Sequence, residues 1–280
     1  MLDFMRGLRG LDGSAAMLAV MLLAGLAPPV QAQKVPAPAC PSRPIVVGLY
    51  EFGNFYRAGA GLDKDLAEEL RKRSGCIFSY KVMQRRAIWP AMQSGNVDMT
   101  FSAVGTPERM SFAWAEPYMW VRNMLVMRKD ASTGVHSLAE FIADPNLRLG
   151  HGRAHAVGPA YEDFVMQLRN IGRVEDVDDT DRMYAMFKAG RFQALVAPKL
   201  VYGSYLKDEV AAGAVRVEDW GAAKPNVPTN FMMSKAHFSV EESRRWGALL
   251  KEMRADGTLQ RMIARYVGPE DAGRMVAQVP

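Results

Sequence analysis

Histidine, cysteine and clustered charge are all scarce in this 280-residue chain, and each scarcity removes a class of chemistry. There are four histidines and two cysteines. His151 and His155 stand four apart, but no cysteine or carboxylate triad accompanies them and Gly152 weakens a helix there, so no metal site is expected. A solvated or cleft-lining histidine pair is the better reading. No Ser-His-Asp arrangement, cysteine nucleophile or phosphate-cradling loop is visible, which leaves no ready-made catalytic centre and no implied cofactor. Basic residues exceed acidic ones by a formal +5, yet they are scattered, with no long basic run and no aromatic-basic interleaving. Nucleic acid is therefore not an expected partner. Past the N-terminus no apolar run reaches the ~18 residues of a membrane-spanning helix. Internal repeats, heptads and low-complexity tracts are also missing.

What is present begins with a targeting pattern. Arg6 and Arg9 precede the apolar run "AAMLAVMLLAGLA", and "PPVQA" ends in a small-x-small motif. That pattern is a secretory signal peptide over 1–32, cleaved after Ala32. No cysteine follows the run closely, which argues against a lipid-anchored start. The expected mature chain, 33–280, is an exported, periplasmic protein. The leader carries two Arg and two Asp, so its removal leaves the net charge unchanged. In an oxidising compartment the even pair Cys40 and Cys76 suggests a disulfide. Each cysteine precedes a strand-like run, "PIVVGL" and "IFSYKV", so a bond would join the starts of neighbouring parallel strands. Two buried free thiols are the alternative.

Hydrophobic residues at 49% and charged residues at 23% are ordinary for a globular protein. Strand-like runs fall at 45–49, 77–82, 97–101, 124–128, 147–150, 192–197, 214–217 and 230–233. Helical patterns lie between several of them. "DKDLAEELRKRSG" spaces Leu66 and Leu70 four apart, with Asp63 as the expected N-cap and Gly75 as the stop. Trp246, Leu249, Leu250 and Met253 follow i, i+3, i+4, i+7, as do Leu259, Met262, Ile263 and Tyr266. Strands alternating with helices predict an α/β protein with mostly parallel sheets. "MRKDASTGVHSLAEF" and "DWGAAKPNVPTNF" read as seams between two lobes. The expected division is lobe 1 over 33–128, lobe 2 over 129–228, and a return to lobe 1 over 229–280. Two strands would then cross between the lobes as a hinge, with a ligand held in the cleft.

Three stretches together resemble a known family. They are "GLDKDLAEELRKRSG", "IWPAMQSGNVDMTFSAVGTPERMSFAWAEPY" and "LLKEMRADGTLQRMIARYVG", supported by "GRFQALVA". The resemblance is to periplasmic solute-binding proteins of the polar amino-acid type, family 3, the substrate receptors of ABC importers. It implies a type II periplasmic-binding-protein fold, each lobe a mostly parallel sheet flanked by helices. It also implies a monomer that hands a small ligand to an inner-membrane permease. In that family the arginine matching Arg109 grips a ligand carboxylate, and a guanidinium fork suits that task. Ser102, Thr106 and the Gly105 amide match the neighbouring donors, in a turn one residue shorter than usual. Phe52 or Tyr56 matches an aromatic lid, and Arg85 replaces the usual apolar side chain. Gly152, Arg153 and Ala154 match a loop that offers backbone N–H groups at a helix start.

Departures from the family pattern bear on ligand charge. Gln193 and Pro198 stand where the resemblance implies acidic residues, and Pro198 has neither charge nor N–H to bind an ammonium group. Arg85, Arg109 and Arg153 are all placed to face the cleft, and burying cations without anions is costly. The expectation is a carboxylate-bearing ligand, amino acid or organic acid, leaning anionic. The alternative is that Glu51, Asp178 or Asp179 takes over an ammonium group. Two other functions compete with transport: an enzyme of the cyclohexadienyl dehydratase kind, with Glu51 as the obvious acid, and a free receptor feeding a membrane sensor. The chain ends shortly after "ARYVG" with no membrane span, so a fused sensor is not expected.

Overall fold

The structure, a computed structural model, describes residues 36–131 and 134–277, so the signal-peptide expectation lies outside the described residues. The strands are β1 (Ile45–Leu49), β2 (Phe78–Val82), β3 (Met99–Ala103), β4 (Ala113–Val121), β5 (Asn123–Arg128), β6 (Leu149–Gly152), β7 (Val174–Val177), β8 (Ala194–Pro198), β9 (Val215–Glu218) and β10 (Val227–Ser234). The first helices are α1 (Leu62–Ser74), α2 (Arg85–Gln93), α3 (Pro107–Phe112), α4 (Leu138–Ala143), α5 (Glu162–Asn170) and α6 (Thr180–Lys188). Then come α7 (Lys199–Tyr205), α8 (Lys207–Ala211), α9 (Val240–Ala255), α10 (Thr258–Val267) and α11 (Pro269–Ala277).

The strands form two five-stranded sheets of matching plan, ordered β2-β1-β3-β10-β4 and β7-β6-β8-β5-β9. Each is mixed. β1 runs parallel to β2 and β3, while β10 lies antiparallel between β3 and β4. In the second sheet β6 runs parallel to β7 and β8, and β5 lies antiparallel between β8 and β9. The chain passes between sheets at Arg122 and again over 219–226. The sequence places 123–128 in the first lobe, whereas ladder pairing puts β5 in the second sheet. An apolar strand carries no mark of which sheet it joins.

The matching plan extends to side chains. Asp98, buried ahead of β3, accepts hydrogen bonds from the Val46 backbone N–H at 2.7 Å and from the Arg43 guanidinium at 2.6 and 2.8 Å. In the second sheet Gln193 takes the equivalent place, its Oε1 accepting from the Arg148 N–H at 2.8 Å. Gln193 is therefore a backbone anchor of the sheet.

Two strands escape the sequence pattern, β4 ("AWAEPYMWV") and β7 ("VEDV"). Both lie at sheet edges. An edge strand tolerates a proline such as Pro117 and need not be apolar throughout. Helix α1 stops at Gly75 in the left-handed region (φ 73°), as expected, but its N-cap is Gly61. Asp63 is not the cap: it is buried inside the first turn, with its carboxylate turned into the protein.

Cys40 and Cys76 are joined in a disulfide between the segments leading into β1 and β2. Those strands pair from Ile45 opposite Phe78, which brings the two cysteines together. The helices bury apolar stripes against the sheets; Trp246 of α9, for instance, is fully buried against Phe78 and Phe231. At ~25 cal/mol per Å² of buried apolar area such residues carry most of the stabilisation.

Candidate functional site

The cleft is built from three loops at strand ends. After β1 comes Tyr50, whose hydroxyl donates to the carbonyls of Phe101 and Ser102 at 2.9 and 3.0 Å. Phe52 and Gly53 follow. Gly53 has φ +61°, and a Cβ there would lie 2.8 Å from Val201 Cα and 2.9 Å from Leu200 O. Only glycine lets this loop lie against α7, where the Asn54 N–H donates to Leu200 O at 2.8 Å.

The second loop joins β3 to α3. Ser102 adopts φ +53°, an uncommon conformation for a residue with a side chain. Its hydroxyl donates to the buried Asp63 carboxylate, at 2.6 Å to Oδ2. Thr106 caps α3, its hydroxyl accepting from the Arg109 N–H at 3.3 Å, with Pro107 at the first helical position. Arg109 is thereby aimed back across the turn. Nη1 donates to Val104 O at 2.9 Å and Nη2 to Ala154 O, in the other lobe, at 2.8 Å. Its guanidinium stacks on Trp89 with 3.9 Å to the ring centroid.

Arg85, at the start of α2, lies one turn from Trp89. Its guanidinium covers the rings of Tyr50 and Phe52 at 4.4 and 4.9 Å. Nε donates to Ala154 O and Nη2 to Ser102 O, both at 3.3 Å. Arg85 is only 5% exposed and Arg109 7%. Nη1 of Arg85 is buried without a hydrogen-bond partner among the described residues.

The third loop joins β6 to α5. Ala154 has φ +64°, and its carbonyl oxygen receives both arginines. The Arg153 N–H donates to Val177 O and the His155 N–H to Gly152 O. His155 folds over Gly152, where a Cβ would come within 2.2 Å of the ring Nδ1, and meets Phe52 edge-on at 4.7 Å.

Together Phe52, Arg85, Ser102, Asn123, His155 and Pro198 help line a cavity of about 30 Å³, and none of its lining residues is a carboxylate. That space admits one or two waters. It is far below the ~300 Å³ and more of a small-molecule pocket, so a ligand requires the lobes to part. They are held by the Thr180 hydroxyl donating to Glu51 O at 3.0 Å, and by the ion pairs Arg86–Asp178 at 3.5 Å and Arg57–Asp181 at 3.2 Å.

The electrostatics follow from burial of like charges. Burial and then neighbouring Arg85 lower the Arg109 pKa to about 10. Burial, then Arg85, His151 and Arg109, push His155 well below the ordinary imidazole value. Desolvation raises Asp63 to about 7 despite its bond from Ser102 and the charge of Arg85. The Tyr50 phenol is pushed by burial up to about 12, against the pull of Arg85.

The residues singled out in the sequence thus separate. Phe52, Arg85 and Ser102 line the cavity, and Arg109 and Ala154 meet beside it. Thr106 orients Arg109 as a helix cap, and Gly152 makes room for His155. Gly105 is near Ala115 and Asn230 but is not part of the lining. Tyr56 packs in the core instead of over the cleft. Arg153 turns outward, half exposed, and pairs with Asp178 at 3.0 Å. Of the alternative acids, Asp178 is held by Arg153 and Arg86, and Asp179 caps α6 by accepting from the Arg182 N–H. The Glu51 carboxylate accepts from the Ala58 N–H at 3.2 Å. The sequence reads His151 and His155 as a solvated or cleft-lining pair, and of the two only His155 lines the cavity; Asp63 reads as a helix cap, and Asn123 and Thr229 of the lining carry no signal in the sequence.

Two lobes of matching sheet order, joined by two crossing segments around a cleft, define the type II periplasmic-binding-protein fold. Residues 50–269 match the bacterial extracellular solute-binding proteins, family 3, and the chain belongs to that family. Among solved structures it is similar to an ancestral arginine-binding protein bound to arginine (23% identity, TM-score 0.66, covering 80% of this chain and 98% of that one). It is also similar to the arginine-, lysine-, histidine-binding protein ArtJ from the thermophilic bacterium Geobacillus stearothermophilus (17% identity, TM-score 0.66, covering 80% and 95%). A third is the ancestral amino acid-binding protein AncCDT-1, a precursor of cyclohexadienyl dehydratase (21% identity, TM-score 0.63, covering 79% and 94%). Comparison with curated proteins finds no match. Among the described residues no helix is long and apolar enough to cross a membrane.

Proposed function

We propose that this protein is a periplasmic receptor that captures a small carboxylate-bearing ligand between its lobes and delivers it, as a monomer, to an ABC importer. One observation carries the reading. Two buried guanidinium groups from the first lobe converge on a single oxygen, Ala154 O of the second. Two hydrogen bonds from cations to one neutral carbonyl bring no opposite charge into direct contact with either guanidinium there, a costly arrangement in a desolvated site. A ligand carboxylate entering an opened cleft would replace that carbonyl with a full charge and a bidentate match to Arg109.

The ligand is anionic overall, or an acidic amino acid. Pro198 lines the cavity where an ammonium-binding acid is expected, and no carboxylate joins it there. Glu51, Asp178 and Asp179 are each engaged elsewhere. In this the site differs from what a cationic amino acid would need, although two of the similar structures are named for arginine.

Catalysis on this scaffold is the second reading, raised by the similarity to a dehydratase precursor. A general acid must stand within hydrogen-bond reach of its substrate. Glu51, the obvious candidate, faces the Ala58 amide, which favours binding over turnover.

The test is calorimetric titration of the folded protein with amino acids and organic acids, repeated on Arg109→Ala. The expected result is at least one carboxylate ligand whose binding the substitution abolishes. A ligand bound equally well by Arg109→Ala, or turnover of prephenate or arogenate, would overturn the proposal.

A further inference from the structure

Arg109 uses both of its terminal nitrogens, on Val104 O and Ala154 O. Arg85 does not: Nη1 is buried in a side chain that lines the cavity, and it has no hydrogen-bond partner among the described residues. An orphaned charged donor of this kind is costly unless something outside the described contacts completes it. Beside it stands His155, the other titratable group of the lining. The ring is fixed by the Gly152 backbone beneath it and by the edge of Phe52 at 4.7 Å, the same ring that Arg85 covers at 4.9 Å. Arg85 and His155 therefore contact one aromatic ring, Phe52, from opposite lobes.

Resting on the carboxylate reading above, we propose that Arg85 and His155 form a second anion subsite, which selects ligands bearing two acidic groups and takes up a proton from solvent on binding. Arg109 holds the first carboxylate. The second sits between Arg85 Nη1 and the His155 ring, which becomes an imidazolium and donates to it. The proton comes from bulk buffer, and no covalent bond changes.

The charged and titratable groups around His155 fix the sign of the effect. Arg85 of α2 and Arg109 of α3 face it from the first lobe, and His151 of β6 from its own lobe. His151 is itself tied to Asp176 of β7 at 3.0 Å, which Arg169 of α5 also binds. Asp63 of α1 stands behind Ser102, and the charge of Arg85 works against the rise that burial gives its pKa. Burial and the two arginines hold the His155 ring neutral without a ligand. A dianion reverses the local field, so protonation of His155 and of Asp63 both become easier. Affinity therefore falls as pH rises, by up to ~10-fold per unit per proton taken up.

The experiment is titration calorimetry near pH 6 with a panel of dicarboxylic acids, acidic amino acids, monocarboxylic acids and neutral and basic amino acids. It is run in two buffers of different ionisation enthalpy, on the wild type, Arg85→Gln and His155→Asn, each checked for folding by its Tm. The expected result is preference for diacids, a ~10- to 100-fold loss in Arg85→Gln, and a buffer-dependent enthalpy that shrinks in His155→Asn. The buffer comparison uses the wild type alone, so it stands even if a variant misfolds. Tighter binding of a monoacid or a neutral or basic amino acid overturns the subsite, as does diacid binding with no proton uptake; if the monoacid binding depends on Arg109, the carboxylate receptor stands. No binding by any carboxylate sinks both.

Discussion

At the scale of single residues, identity and role come apart. Arg109 is legible because a Ser/Gly/Thr-rich turn after a buried strand leaves few reasons for an arginine, and the family resemblance names one. Its geometry is not legible: nothing in the sequence says that Ala154 adopts a left-handed φ of +64° and turns its carbonyl toward the two arginines. Ser102 reads as a ligand donor but spends its hydroxyl on Asp63, a residue that sequence pattern makes an N-cap. That pair has a measurable consequence. Asp63 is raised from 3.8 to about 7 by burial, so the folded state holds its proton where the unfolded state has lost it. Its contribution is full below pH ~4 and fades as pH rises toward ~7. Stability profiles of wild type and Asp63→Asn by chemical denaturation should therefore converge or cross over that window, wild type losing about 4 kcal/mol at most relative to the variant. Parallel profiles would show that Asp63 does not titrate as argued.

At the scale of elements, apolar periodicity locates most strands and the helices α1, α9 and α10. It fails at β4 and β7, edge strands that need not repeat an apolar pattern. It also fails to say which sheet β5 joins, because that depends on partners far along the chain. The cysteine pair was legible as a bond from compartment and position, and β1–β2 register explains why it forms. With the cysteines 36 positions apart, its loss in a Cys40→Ser, Cys76→Ser variant should cost about 3–4 kcal/mol by the loop-entropy argument. Equal denaturation midpoints with and without the bond would contradict that. Arg122, at the first crossing, ties the second through Asp219 at 2.9 Å and Lys224 O at 2.6 Å. The pair is partly exposed, so Arg122→Ala should change global stability by no more than ~1 kcal/mol. It should nevertheless speed amide exchange around Arg122 and Asn226, and unchanged exchange would remove Arg122 from the hinge.

At the scale of the whole molecule, the two lobes present complementary halves of one site. The first contributes the arginines and the aromatic faces, and the second contributes the carbonyl, His155 and Pro198. The cavity has room for water only, so on the proposed function a ligand enters as the lobes part, and its affinity would include the work of separating Arg85 and Arg109 from Ala154. In the proposed function a small acid is the natural occupant of this site and Arg109 holds it. Native mass spectrometry of freshly purified wild type and Arg109→Ala, exported under identical conditions, tests it most directly. An added mass is expected on the wild type that dissociates as a small carboxylic acid and is lost from the variant. A co-purified ligand without a carboxylate, or equal occupancy in Arg109→Ala, would contradict it.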